Sequence, residues 1–176
     1  MRRLRYSVAM SLDGFIAGPR GEYDWIVLDP AFDFGALFRQ FDTMLMGRLT
    51  FEVMRSRGQP PASMGMKAVV VSTTLESEAH PDVSIIRSGV PEAVAALKAQ
   101  PGKDIWLSGG GVLFRSLLDA GLVDAVELAV MPVLLGSGVG IVPEGRRWPL
   151  HLEKSESLPG GMLMLTYSVA QPSRPA

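Results

Sequence analysis

The stretch DIWLSGGGVLFRSLL, Asp104 to Leu118, decides how this chain is read. An apolar run, Ile105 to Leu107, meets Ser108 and then Gly109, Gly110 and Gly111. Helical spacing follows at once in Val112, Leu113, Leu117 and Leu118. Glycine loses more conformational entropy on ordering than any other residue and brings no side chain to pack. Three in a row between a strand and a helix point to backbone that must stay bare. A tight turn alone also uses glycine there, so the run by itself does not establish a ligand. It is not the G-x-G-x-x-G dinucleotide fingerprint, because Phe114 stands at the last position. No Gly-Lys-Ser/Thr follows, so it is not a P-loop either.

Working outward, strands are expected at Leu4 to Met10, Thr43 to Met46, Ala68 to Val71, Val83 to Arg87 and Asp104 to Leu107. Helices are expected over Phe32 to Phe41, from Gly47 to about Arg57, from Ser88 to about Ala99, and after the glycines to Asp119. Val123 to Pro132, His151 to Ser157 and Met162 to Val169 read as closing strands. Ser11 to Asp29, with Gly14, Gly18, Pro19 and Gly21, reads as a long mobile loop. Alternating strands and helices followed by strands predict an α/β fold. Its sheet is mixed and mostly parallel, with antiparallel C-terminal strands. No repeat or linker divides the chain, which reads as one domain over residues 1–170 with a flexible tail at 171–176.

The totals narrow the function. The 176 residues suffice for a sizeable core, and 47% of them are hydrophobic, with a mean hydropathy of +0.21. A net charge of −1, from 17 basic and 18 acidic residues, argues against a nucleic-acid platform. The absence of cysteine excludes disulfides, thiolate metal sites and a cysteine nucleophile. With only His80 and His151, no metal site is expected. The apolar run after the basic start, MRRLRYSVAMSLDG, is cut short by Asp13 and does not make a signal peptide. No stretch approaches the ~20 apolar residues of a membrane span, so a cytoplasmic protein is expected.

Ligands of open α/β sheets gather outside the carboxyl ends of the strands. Three such ends carry suitable groups: MGRLT at 46–50, STT at 72–74 and SGGG at 108–111. The first and third open helices, whose free N–H groups and positive dipole ends favour a phosphate. Arg48 adds a charge, and Thr50, Ser72 and Thr73 add hydroxyls. Together with AMSLDGFIAG, DTMLMGRLTFE, AVVVSTT and ELAVMPVLLGSG, these segments resemble the dihydrofolate reductase superfold. More narrowly they resemble the reductase domain of bacterial riboflavin biosynthesis, the RibD C-terminal domain, in a small stand-alone form. The resemblance runs in family order from about residue 4 to residue 169.

The resemblance implies a three-layer α/β/α dihydrofolate reductase-like fold and NADPH as cofactor. By position, Ala9 and Ile16 match residues that meet the nicotinamide carboxamide. Gly47, Arg48 and Thr50 match the pyrophosphate and adenosine segment. Ser72, Thr73 and Arg87 match the 2′-phosphate pocket, and Gly109, Gly110 and Gly111 match the pyrophosphate loop. As alternatives, Arg48 and Arg87 could be surface charges, and Ser72 and Thr73 could cap a turn.

The substrate side departs from folate reductases. Their core threonine aligns with Ala129, and their folate-tail arginine aligns near Met66. The nearest acids, Asp29 and Asp33, fall out of register, leaving Asp13 and Asp33 as catalytic candidates. Dihydrofolate is therefore expected to be a poor substrate. Tyr23 and Trp25 are candidate walls for a substrate ring.

The expected activity is hydride transfer from NADPH to a small heterocycle or a ribosylaminopyrimidine, in the manner of a 5-amino-6-(5-phosphoribosylamino)uracil reductase. The alternative is a non-catalytic NADP(H)-binding module or sensor. No G-x-S-x-G elbow supports a hydrolase. The relatives tend to dimerise, and Val130 to Leu135 could supply a homodimer interface, although core burial explains that segment equally well.

Overall fold

The strand that opens the chain sits at the centre of the sheet, with parallel partners on both sides. In the computed structural model, which describes residues 1–27 and 32–170, the order is β1 (Leu4–Ser11), β2 (Phe15–Ala17), α1 (Phe34–Phe38), β3 (Phe41–Gly47) and α2 (Arg48–Ser56). A 3-10 turn at Pro61–Met64 leads to β4 (Lys67–Val71), β5 (Val83–Ile86), α3 (Val90–Ala99), β6 (Asp104–Gly109) and α4 (Gly111–Asp119). β7 (Ala125–Met131), β8 (Val139–Gly140), β9 (Leu150–Ser157) and β10 (Leu163–Val169) complete it. The eight-stranded sheet runs β5-β4-β3-β6-β1-β7-β10-β9. The first six of these strands are mutually parallel; β10 is antiparallel to both β7 and β9.

Period-two alternation sends neighbouring side chains to opposite faces, and each face has its own cover. Leu4, Tyr6, Leu45, Ile105 and Leu107 face α3 and α4. Met44, Met46, Val70 and Trp106 face α1 and α2. The result is the three-layer arrangement expected from the sequence. β9 lies outside both covers and is exposed at all eight residues.

Two expectations need correction. The helix expected over Phe32 to Phe41 is only the five residues of α1, because Phe41 already belongs to β3. There its ring is buried beneath the Arg5 guanidinium, 4.5 Å from the ring centre. The long loop after Ser11 also contains β2, which pairs with β8 across the chain in a small second sheet. Neither strand is long enough to show periodicity, and each is ordered by the other. The expected tail at 171–176 lies outside the described residues, as does Asp29.

Of the segment proposed for self-association, Val130 and Met131 are core residues, while Leu134 is exposed. Met66, at the position of the folate-tail arginine, is a core residue beneath α2 and β4. No helix among the described residues is long and apolar enough to cross a membrane.

Candidate active site

Two helices begin at one rim of the sheet, and neither N-terminus has a side-chain cap. Gly47 precedes α2 and Gly110 precedes α4, both in extended backbone. The first N–H groups of each helix therefore lack a side-chain acceptor. Both ends line one cavity of about 480 Å³, together with Arg48, Thr50 and Val71. Arg48 is half exposed and reaches Glu52 one turn on, at 2.7 and 2.9 Å. Two positive helix ends and a guanidinium suit a doubly charged anion.

The three glycines have three different reasons. Gly109 has φ +150, and a Cβ there would lie 3.0 Å from Thr50 Oγ1. Gly111 lies under the chain before residue 142, where a Cβ would meet the carbonyl oxygens of Ile141 at 3.1 Å and Gly140 at 3.2 Å. Gly110 has extended φ and ψ and nothing within 4 Å of its missing Cβ. Its bare face opens into the cavity. Gly47 is open in the same way.

Next to this cavity, and sharing Thr50 and Gly110 with it, lies a second of about 440 Å³. Ala9, Ile16, Ser108 and Gly109 line it, with Tyr23 from the loop after β2. Ser108 Oγ is buried and has no hydrogen-bond partner. A buried hydroxyl without a protein partner is uncommon in folded proteins, and this one is free to bond a water or a polar group of a ligand. Arg57 lies over the Tyr23 ring at 3.4 Å, fastening that loop to the end of α2.

A third cavity, about 230 Å³, adjoins the second across Ser7, Val8, Ala9 and Trp106. It lies between α1 and the sheet. Phe32, Phe34, Phe38 and Trp106 form its aromatic side, and Ala129, Met162 and Met164 its sheet side. Trp106 stacks on Phe38 at 5.3 Å and donates its indole N–H to the Ser7 carbonyl at 2.7 Å. The indole thus stands at one side of the junction where the two cavities meet. Sequence reasoning passed over Trp106 and Ser108. Their only signal was a large aromatic and a hydroxyl on the strand that ends in the glycines.

The remaining sequence candidates divide. Ser72 is buried, and its Oγ accepts from the N–H groups of Thr74 and Leu75 at 3.2 and 2.9 Å, as a turn cap. Thr73 is exposed just past Val71. Arg87 donates to the carbonyls of Thr73 and Leu75 at 3.3 and 2.7 Å. Asp33 caps the N-terminus of α1, accepting from Ala36 N–H at 2.8 Å, and is exposed. It does not line the aromatic cavity.

Asp13 does not line that cavity either. Its carboxylate accepts from Ser11 Oγ at 2.7 Å and from the N–H groups of Leu135 at 3.1 Å and Gly136 at 2.7 Å. The Ser11 hydrogen bond first, and then those backbone donors, hold its pKa below the usual carboxylate value. A group held ionised is a poor proton donor and a good clasp, and here it ties the loop before β2 to the loop before β8. Trp25 hydrogen-bonds to the Glu22 carbonyl at 3.1 Å and lines none of the three cavities, whereas Tyr23 faces the second. No cluster among the described residues could hold a metal ion.

A central parallel sheet with antiparallel closing strands and helices on both faces define the dihydrofolate reductase-like fold. The chain aligns over 95% of its length with dihydrofolate reductase from Enterococcus faecalis, solved with NADP(H), covering 96% of that chain at TM-score 0.68 and 21% identity. The protein belongs to the RibD C-terminal domain family, whose model matches residues 2–164. It is 32% identical to the Bacillus subtilis protein YyaP, over 94% of both chains. A crystal structure of a protein from Shewanella sp. PV-4, named for riboflavin biosynthesis, is similar at TM-score 0.81 and 27% identity, over 97% of this chain and 99% of that one.

The Asp13 clasp predicts a pH dependence. Its folded pKa is lowered. Its contribution to stability is therefore present above the unfolded value, about 3.9, and is lost as pH falls through the lowered folded value. Asp13→Asn should increase hydrogen exchange at Leu135 and Gly136 at pH 7. The gap to the wild type, compared at matched pH, should close as the solution is acidified below about pH 4. A gap that stays constant down to pH 2 would remove the carboxylate from this role.

Proposed function

We propose that the protein is an NADPH-dependent oxidoreductase that reduces a small heterocyclic substrate. One observation carries this reading. The two uncapped helix starts and Arg48 border a cavity that continues, past the orphaned Ser108 hydroxyl, to the aromatic pocket behind Trp106. A pyrophosphate fits the helix starts, a nicotinamide the middle cavity beside Ala9 and Ile16, and a second ring the aromatic pocket. A non-catalytic binding module would have no need for that third compartment.

Each protein group then has a task. Backbone N–H groups at the starts of α2 and α4 hold the pyrophosphate. Gly110 and Gly47 permit its approach. Thr73 and Arg87, beyond the end of β4, are proposed for the adenosine 2′-phosphate, together with Arg48. Ser108 Oγ binds the nicotinamide carboxamide, and Tyr23, fastened by Arg57, covers it. Bound cofactor supplies the hydride, and one proton completes the reduction. Neither Asp13 nor Asp33 lines the aromatic pocket, so we assign the proton to water and give neither residue the role of acid.

Among the described residues, the exposed edge of the sheet is the apolar surface suited to the homodimer that we propose. Leu150, Leu152 and Leu163 are 42%, 47% and 41% exposed, and the strand register sets them on one face. Light scattering should give about twice the chain mass of 19.0 kDa; a monomer at micromolar concentration would reject this state.

The cofactor site has two direct tests. Gly110→Ala should leave a folded protein, checked by circular dichroism, because φ and ψ are open to any residue and the space is empty. It should weaken NADPH binding at least tenfold by placing a methyl where a phosphate oxygen approaches to ~2.9 Å. Unchanged affinity in the folded variant would return the glycine to a mere turn. Arg48→Ala should cost roughly one to two decades of affinity for NADPH. Calorimetric titration should show a much smaller loss for NADH; equal losses would detach Arg48 from the 2′-phosphate.

A further inference from the structure

We infer that the substrate is an uncharged, sparsely polar aromatic heterocycle of one or two fused rings, bearing no phosphate. The inference rests on the reductase reading above for which cavity receives the substrate.

The aromatic pocket sets the first limit. At about 230 Å³ it falls below the usual range for drug-sized ligands, roughly 300–1,000 Å³. Four aromatic rings and two methionines supply most of its wall. Flat aromatic faces select a flat ring, and thioethers adjust to its outline. Among the described residues, the polar side chains in the lining are the Ser7 hydroxyl and the Trp106 indole. The indole N–H is already given to the Ser7 carbonyl. A pyrimidinedione with amino substituents presents several donors and acceptors around its ring. Most would be left unpaired here, each lowering affinity by roughly one decade.

The neighbouring surface sets the second limit. Past Phe32, Leu37 and Met164 the pocket leads to a polar cleft, where a substituent on the ring would lie. Its cations are Arg5 and Lys154, and both are engaged. The buried Arg5 guanidinium is bound to Glu127 at 2.7 Å, to Gln40 at 2.8 Å and to Asp104 at 3.2 Å. Lys154 pairs with Glu156 at 2.5 Å. Among the described residues of this cleft, Asp33, Glu127 and Glu156 face Arg5 and Lys154, and Asp33 also pairs with Arg39 at 3.5 Å. A phosphate placed there would have to displace a carboxylate from each cation.

The substitutions follow from the strand register. On one face of the sheet, the row Ser7, Glu127 and Thr166 lies one step from the row Ala9, Ala129 and Met164, and Arg5 lies one step further along β1. Glu127 is ion-paired with Arg5, and the Ala9 row is an apolar floor. The sheet thus sets a closed ion pair, not a free cation, beside the apolar floor.

Calorimetric titration of the full chain tests this with two probes. Quinoxaline is uncharged, has two fused rings and carries only two acceptor nitrogens. 5-Amino-6-(5-phosphoribosylamino)uracil is polar and phosphorylated. Quinoxaline should bind at least tenfold more tightly, and Phe38→Ala should weaken it at least tenfold. Should that variant fail to fold, Ala129→Asp, which puts a charge into the same floor, should do the same. Equal or tighter binding of the phosphorylated probe, or binding of neither, would overturn the inference. NADPH titrated separately into the same protein keeps the two proposals apart. Quinoxaline binding without NADPH binding would sink the reductase reading and leave the chemistry of the pocket standing.

Discussion

The approach of the Gly140 and Ile141 carbonyls to Gly111 is the contact on which the rest of the site depends. With those oxygens at 3.2 and 3.1 Å from the missing Cβ, no side chain fits without moving backbone. The contact seats the start of α4 under the returning chain. Tyr6, buried at the centre of the sheet, supports both partners. Its ring stacks on Phe114 of α4 at 3.8 Å, and its hydroxyl donates to the Ile141 carbonyl at 3.2 Å. Desolvation raises the pKa of that phenol, so it stays a neutral donor. β8, held in this way, pairs with β2, and β2 brings Ile16 to the lip of the middle cavity. Packing, one phenol and one glycine thus connect the hydrophobic core to the cofactor side.

The opposite side is governed by Trp106. The same indole closes the aromatic pocket and borders the middle cavity, and its hydrogen bond to Ser7 prevents it from rotating. Two planar molecules, one in each cavity, would meet at the junction beside Val8 and Ala9. Hydride transfer needs this proximity and orientation more than it needs protein acids or bases. An apolar pocket without a carboxylate among its described lining residues is consistent with such chemistry.

Much of the architecture was legible because it is local. Apolar runs of four to eight residues bounded by glycine and proline gave the main strands, and the spacing after Gly111 gave α4. Asp33 could be recognised as an acid near a helix start, but its role as a cap needed the short α1. The small β2-β8 sheet left no trace, since strands of three and two residues carry no period. Phe41 looked like the end of a helix. Its burial under Arg5 and its pairing with β6 overrode that local preference.

The sequence by itself determined the α/β class, the order of elements and the strand ends at which an anion would be met. These follow from periodicity, glycine placement and charge along the chain. Only the tertiary structure decided which glycine does what, because a φ angle, a carbonyl at van der Waals distance and an empty volume are identical in one-letter code. It also decided that Asp13 is a clasp and that Trp106 stands where two cavities meet. Each of those roles is set by a partner more than a few residues away or by a neighbour's backbone geometry. Such contacts arise only when the sheet brings separated strands side by side.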